Sequence, residues 1–164
     1  MASSYAVVVQ PRFWVTCYTD GSFREGCGGW GIYVRSEKGR FENWGACAEC
    51  VQNALEAELT AIYAGVADTL LRWGPFVFGI AIFTDCKPAI DLINADTIKE
   101  STRNRNPGAI ALIKDIRELV QLHGVRLRLV WVPGHQPGTA PRAYINRRCD
   151  ELASRHYYLS KLKK

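Results

Sequence analysis

The sequence predicts a mixed α/β domain: a five-stranded sheet with helices packed against it, in the order β-β-β-α-β-α-α-β-α. Three observations carry this. The first third of the chain holds three stretches rich in aromatic and β-branched residues, joined by short turns. After Asn53 the apolar spacing changes to three and four, the mark of an amphipathic helix. Beyond it, strand-like apolar runs alternate with helical ones. With 164 residues the chain can bury about two thirds of the surface its unfolded form exposes, and it needs no covalent staple to fold.

Residues 13–19 read as the first strand, stopped by Asp20-Gly21-Ser22. A glycine-rich loop follows over 21–29, then a second strand over 30–35. Lys38-Gly39 is a turn signal, and 41–48 reads as a third strand, so the three form an antiparallel meander. Leu55, Leu59, Ile62, Tyr63 and Val66 define a helix over about 53–72, ended by Gly74-Pro75. The continuous run FVFGIAIFT at 76–84 reads as a strand buried on both faces. Pro88 suits the first turn of a short helix. KESTRNRN at 99–106 is polar and basic, a loop or helical protrusion. Pro107 opens a helix with Ile110, Ile113, Ile116, Leu119 and Val120 on one face, closed by His123-Gly124. The strand at 125–132 carries Arg126 and Arg128 on one side, which gives it a basic face along part of its length. Three prolines and two glycines make 133–141 a loop, and a last helix runs over about 142–160.

Composition excludes several classes. Apolar and charged fractions of 48% and 23% are those of a globular chain, not a disordered one. No apolar run approaches the roughly 20 residues of a membrane-spanning helix. The N-terminal stretch lacks the basic region and cleavage site of a signal peptide, so a cytoplasmic location is expected. Its six cysteines then read as reduced thiols. Cys47 and Cys50 have zinc-like spacing but no second ligand pair, which argues against zinc. A net charge of +5 leans weakly toward a polyanionic partner.

The acids carry more. Asp20 follows the first strand and Asp85 the fourth, and both strands end in Thr-Asp. If those strands are parallel neighbours, the two carboxylates meet at one edge of the sheet. Glu58 falls in the first turns of the first long helix and Asp150 in the first turns of the last. Singly, each has an ordinary explanation: a turn residue, a helix cap, two surface acids. If all four converge, they form a cluster that would repel itself without a counter-ion. A hard divalent cation with oxygen ligands, Mg²⁺ first, resolves the repulsion. Two such ions held about 4 Å apart form a clamp for phosphodiester cleavage.

Five blocks occur in one order: TDGS at 19–22, AELTAI at 57–62, FTD at 83–85, WVPGH at 131–135 and NRRCDELA at 146–153. Together they resemble ribonuclease H of type 1, over 13–160, with an N-terminal extension at 1–12 and a basic tail at 161–164. The resemblance implies an RNase H-like fold and an endonuclease that cuts the RNA strand of an RNA–DNA hybrid. It implies two Mg²⁺ ions (or Mn²⁺), 3′-hydroxyl and 5′-phosphate products, a monomer, and no membrane partner. Asp20, Glu58, Asp85 and Asp150 would be the metal ligands, Asp20 bridging both ions, and His135 the histidine that assists leaving-group protonation or product release. Glu56 competes with Glu58, but two residues apart on a helix they point to different sides, and the family pattern favours Glu58.

Substrate contacts are expected from Gly21 and Ser22, whose glycine-rich segment lets backbone approach RNA. Asn53 stands where the family often has paired asparagines, in the stretch Gln52-Asn53-Ala54-Leu55, and one of the pair is missing. Lys87 replaces a common glutamine and either binds phosphate or is solvated. Lys99, Arg103 and Arg105 form a reduced version of a basic protrusion, or a plain solvated loop. The segment after His135 is longer than usual. A non-catalytic binding module would be expected to have lost an acid, and all four are present. A reverse-transcriptase-type domain with altered substrate preference is the other alternative.

Overall fold

The structure, a computed structural model, describes residues 11–134 and 141–162. Strands β1 (Phe13–Arg24), β2 (Cys27–Ser36) and β3 (Gly39–Ala46) form the meander. Helix α1 (Ala54–Trp73) follows, then β4 (Val77–Thr84), α2 (Lys87–Asn94), α3 (Glu100–Arg105), α4 (Pro107–Leu122), β5 (Arg126–Trp131) and α5 (Pro141–Lys161). The sheet order is β3-β2-β1-β4-β5. β1 and β2, and β2 and β3, are antiparallel, whereas β4 runs parallel to both β1 and β5. This is the mixed five-stranded sheet that the sequence predicts.

One sheet face is dry. Val15 and Cys17 from β1, Ile32 and Val34 from β2, and Ile80 and Ile82 from β4 are fully buried. They pack under Leu59, Ile62 and Val66 of α1 and Ile113 and Ile116 of α4. Strand alternation sends the intervening side chains to the other face. There α5 lies on β1, β2 and β3. Tyr18, Ile145 and Cys149 form a second small cluster with Tyr33 and Phe83.

Three expectations need correction. The first strand does not stop at Asp20, and 21–29 is not a loop. The β1–β2 ladder continues through Gly21 opposite Trp30 to Arg24 opposite Cys27. It closes in a two-residue turn at Glu25-Gly26, both with positive φ, as a tight hairpin requires. Several glycines in this stretch are packing residues. A β carbon on Gly29 would sit 2.2 Å from the Ala153 carbonyl oxygen, and one on Gly31 would sit 2.5 Å from that of Cys149, both in α5. Second, β4 is not buried on both faces. Its core side is, but Phe78 and Ala81 on the other side are only partly covered, because α5 lies over the neighbouring strands and reaches only Phe83 near the end of β4. Third, Asp150 lies midway along α5 rather than in its first turns, since the helix begins at Pro141.

Within residues 99–106, Glu100–Arg105 form the short helix α3, with no buried residue. All six cysteines are free thiols. Among the described residues no helix is long and apolar enough to cross a membrane.

Candidate active site

The parallel pairing of β1 and β4 aligns their ends. Tyr18 lies beside Phe83, so Asp20 and Asp85, each two residues further on, arrive at the same edge. Open α/β sheets bind ligands at this carboxyl edge. Glu58 reaches the same place because β1 passes unusually close to α1. A β carbon on Gly21 would lie 2.3 Å from the Ala57 carbonyl carbon and from the Glu58 backbone nitrogen. Only glycine allows that approach, so the Asp-Gly pair is a packing device and not a turn.

Asp85 is held from below and from the side. Thr84 accepts a hydrogen bond from Val132 N–H at 3.0 Å, and its hydroxyl oxygen accepts one from Cys86 N–H at 3.1 Å. The indole N–H of Trp131 donates to the Asp85 carbonyl at 3.2 Å. The amide of Asn146 in α5 reaches the Pro133 carbonyl at 3.5 Å and ties the Trp-Val-Pro-Gly segment down.

One carboxylate oxygen from each of Asp20, Glu58 and Asp85 falls within 4.8 Å of the other two. Asp150 lines the same cleft, of about 290 Å³, outside this tight group. The electrostatics follow from crowding. Burial, then the charges of Asp85 and Asp150, push the Asp20 carboxyl up to about 7. Burial, then Asp20 and Asp85, push Glu58 up to about 9. Oε2 of Glu58 is buried without a hydrogen-bond partner among the described residues. A cluster of acids with an orphaned buried oxygen fits a hard cation with oxygen ligands.

Glu56 faces elsewhere. Its carboxylate accepts from Gln52 N–H at 2.8 Å, while Asn53 Oδ1 accepts from Glu56 N–H at 3.0 Å. Asn53 thus caps α1, and Glu56 reaches back to the residue before the cap, a capping box shifted by one residue. Asn53 is therefore engaged through its oxygen in capping the helix. Gly21 and Ser22 line the cleft. Lys87 is exposed, paired with Asp91 one helical turn on, and is not among the residues lining the cleft. Arg103 and Arg105 stand on exposed α3, where Arg105 donates to the Ser101 carbonyl at 3.1 Å. His135 lies outside the described residues.

Three cleft residues escape a sequence reading: Arg24, Asn146 and Arg147. For Arg147 a signal exists, since it precedes Asp150 by one helical turn. Arg24 is hidden by reading its strand end as a loop.

A sheet edge where carboxylates from two parallel strands and a helix converge defines a hydrolase-type acidic centre suited to divalent metal. Comparisons with known proteins place it further. Residues 13–158 match the RNase H family model. A ribonuclease H of Trichodesmium erythraeum is 30% identical over 155 residues, spanning 89% of this chain and 90% of that protein. The RNase H1 of the archaeon Halobacterium salinarum superposes with a TM-score of 0.66 at 20% identity, covering 88% of this chain and 97% of that one. LC11-RNase H1, solved in complex with an RNA/DNA hybrid, has a TM-score of 0.59 at 22% identity, covering 86% and 94%. The chain belongs to the RNase H family, as a ribonuclease H hydrolase.

Proposed function

We propose that the protein cleaves the RNA strand of RNA–DNA hybrids by metal-assisted hydrolysis, leaving 3′-hydroxyl and 5′-phosphate ends. The observation that carries this is the meeting of Asp20, Glu58 and Asp85 oxygens within 4.8 Å at the sheet edge. Asp20, Glu58, Asp85 and Asp150 would hold two divalent cations, Mg²⁺ with Mn²⁺ as substitute, which would supply an acidified water and neutralise the phosphate.

The chain's own residues do the rest. Asp20 and Glu58, whose carboxyls crowding and burial hold protonated toward neutral pH, would give up those protons on holding cations. Arg24 and Arg147, on opposite elements of the cleft, place the scissile phosphate. Gly21 and Ser22 present backbone to the RNA strand, whose 2′-hydroxyls separate it from DNA. In the reaction the water gives up a proton to solvent as its oxygen bonds to phosphorus, and the bond to the 3′-oxygen breaks. That oxygen then takes up a proton, for which His135, next after Gly134 in sequence, would be the donor unless it acts in product release.

A fluorescent hybrid assay with and without EDTA tests this. Cleavage that needs a divalent ion, and falls at least about a hundredfold in Asp20→Asn, is expected. Metal-independent cleavage, or an active Asp20→Asn, would overturn it.

A further inference from the structure

The part of the sheet that α5 leaves bare carries arginines and an exposed aromatic ring. Strand register sets out one row across it. Arg35 of β2 lies opposite Thr16 of β1, Thr16 beside Ala81 of β4, and Ala81 beside Arg128 of β5. All four point away from the dry core, because Val15, Cys17, Val34, Ile80, Ile82, Leu127 and Leu129 on either side of them belong to it. The row therefore has an exposed arginine at each end and a low floor of Thr16 and Ala81 between.

The next row toward the start of β1 holds Trp14, Gly79 and Arg126. Gly79 has no side chain, and the Trp14 ring lies over it: a β carbon there would be 2.6 Å from the ring. Trp14 meets Phe78 edge-on with centroids 5.7 Å apart, and the Arg126 guanidinium sits 4.8 Å over Phe78. The indole is thus held in place and still 46% exposed. Among the described residues neither Arg35, Arg126 nor Arg128 is paired with a carboxylate.

We propose that this half of the sheet, bare among the described residues, is a second nucleic-acid surface, and that it takes a single strand. Unpaired cations call for a polyanion, and Arg35 and Arg128 are placed to meet its phosphates. A braced, half-exposed indole beside an arginine stacked on phenylalanine offers planes on which bases can lie. A duplex keeps its base faces to itself and could use only the charges. The low floor lets an extended strand lie flat between the arginines. The surface is separate from the carboxylate cleft and does not depend on the chemistry proposed there.

The test is anisotropy of labelled oligo-dT and oligo-rU of about 20 nucleotides with the full chain in EDTA, at about 50 and 200 mM salt. Both should bind, more weakly at high salt. Trp14→Ala and the double variant Arg35→Ala/Arg128→Ala should each weaken binding at least about tenfold, and the double variant should flatten the salt dependence. An abasic strand of equal charge should respond to the arginine pair and not to Trp14→Ala. The cleft variant Arg24→Ala/Arg147→Ala should weaken single-strand binding less than either surface variant does. No binding, equal binding by parent and surface variants, or loss confined to the cleft variant overturns the proposal. So does Trp14-dependent binding to phosphatidylserine vesicles without binding to oligonucleotides. Matching thermal melts show that the variants are folded.

Discussion

Gly134 lies against Asp85 so closely that a β carbon on it would sit 2.1 Å from the Asp85 Oδ2 atom. The glycine that follows the end of β5 is therefore part of the wall that positions a site carboxylate on β4. Gly134→Ala should push that carboxylate aside while leaving the core alone. Activity on a hybrid should fall about a hundredfold, the cost of misplacing a reacting group by about an ångström. The thermal midpoint should stay close to the parent's. Parent-like activity would show that Asp85 is free to move without consequence.

Asp20 and Glu58 predict how stability depends on pH. Both carboxyls titrate near 4 in an unfolded chain, and folding raises them to about 7 and about 9. A raised group favours the folded state fully below its unfolded value, and that advantage is lost as pH climbs through its folded value. The metal-free protein in EDTA should thus lose stability progressively as pH rises from about 4 to about 9. Asp20→Asn should be more stable than the parent at pH 8 and less sensitive to pH, and Mg²⁺ should stabilise the parent most at high pH. Urea melts across this range measure it. A profile flat or rising with pH would count against a crowded, self-repelling cluster.

The order of elements and the shared edge of Asp20 and Asp85 were legible because hydrophobic period and the two Thr-Asp strand ends are local signals. What stayed hidden depends on distance in three dimensions. Gly21 and Gly29 look like loop residues in a string of letters. They are strand residues whose missing side chains admit α1 and α5, which nothing in their own neighbourhood reveals. Similarly, FVFGIAIFT reads as buried on both faces because Phe78 and Phe83 are apolar. Whether a helix covers them depends on where α5 lands, many residues later. Glu56 and Glu58 differ only in which side of α1 they occupy, and that side becomes visible once β1 and α4 are in place.

Those two glutamates should behave oppositely. Glu58 contributes an oxygen to the cluster, so Glu58→Gln should fold normally and lose activity at least about a hundredfold. Glu56 is 5% exposed, and its carboxylate caps the backbone of Gln52. Glu56→Ala should cost about 1–2 kcal/mol of stability, the range for losing a cap, with kcat nearly unchanged. Paired urea melts and hybrid-cleavage assays separate the effects, and a reversal would exchange the roles of the two residues.

The glycines under α5 provide the last prediction. The helix rests directly on β2: a β carbon on Gly31 would stand 2.5 Å from the Cys149 carbonyl oxygen and 2.6 Å from the Leu152 side chain. Both distances are below ordinary contact, and the first obstacle is backbone, which cannot rotate away. Gly31→Ala must therefore lift α5, whose Cys149 directly precedes Asp150. Overpacking of this kind costs about 1–3 kcal/mol. If Asp150 works from its present position, hybrid cleavage should fall further than the loss of folded protein explains, and raising the Mg²⁺ concentration should recover part of it. If Gly31 were merely a flexible strand residue, alanine would be neutral or slightly stabilising, because it would restrict the unfolded chain. The sign of the stability change therefore tells a packing glycine from a flexible one, and the response to Mg²⁺ tells whether α5 delivers a ligand.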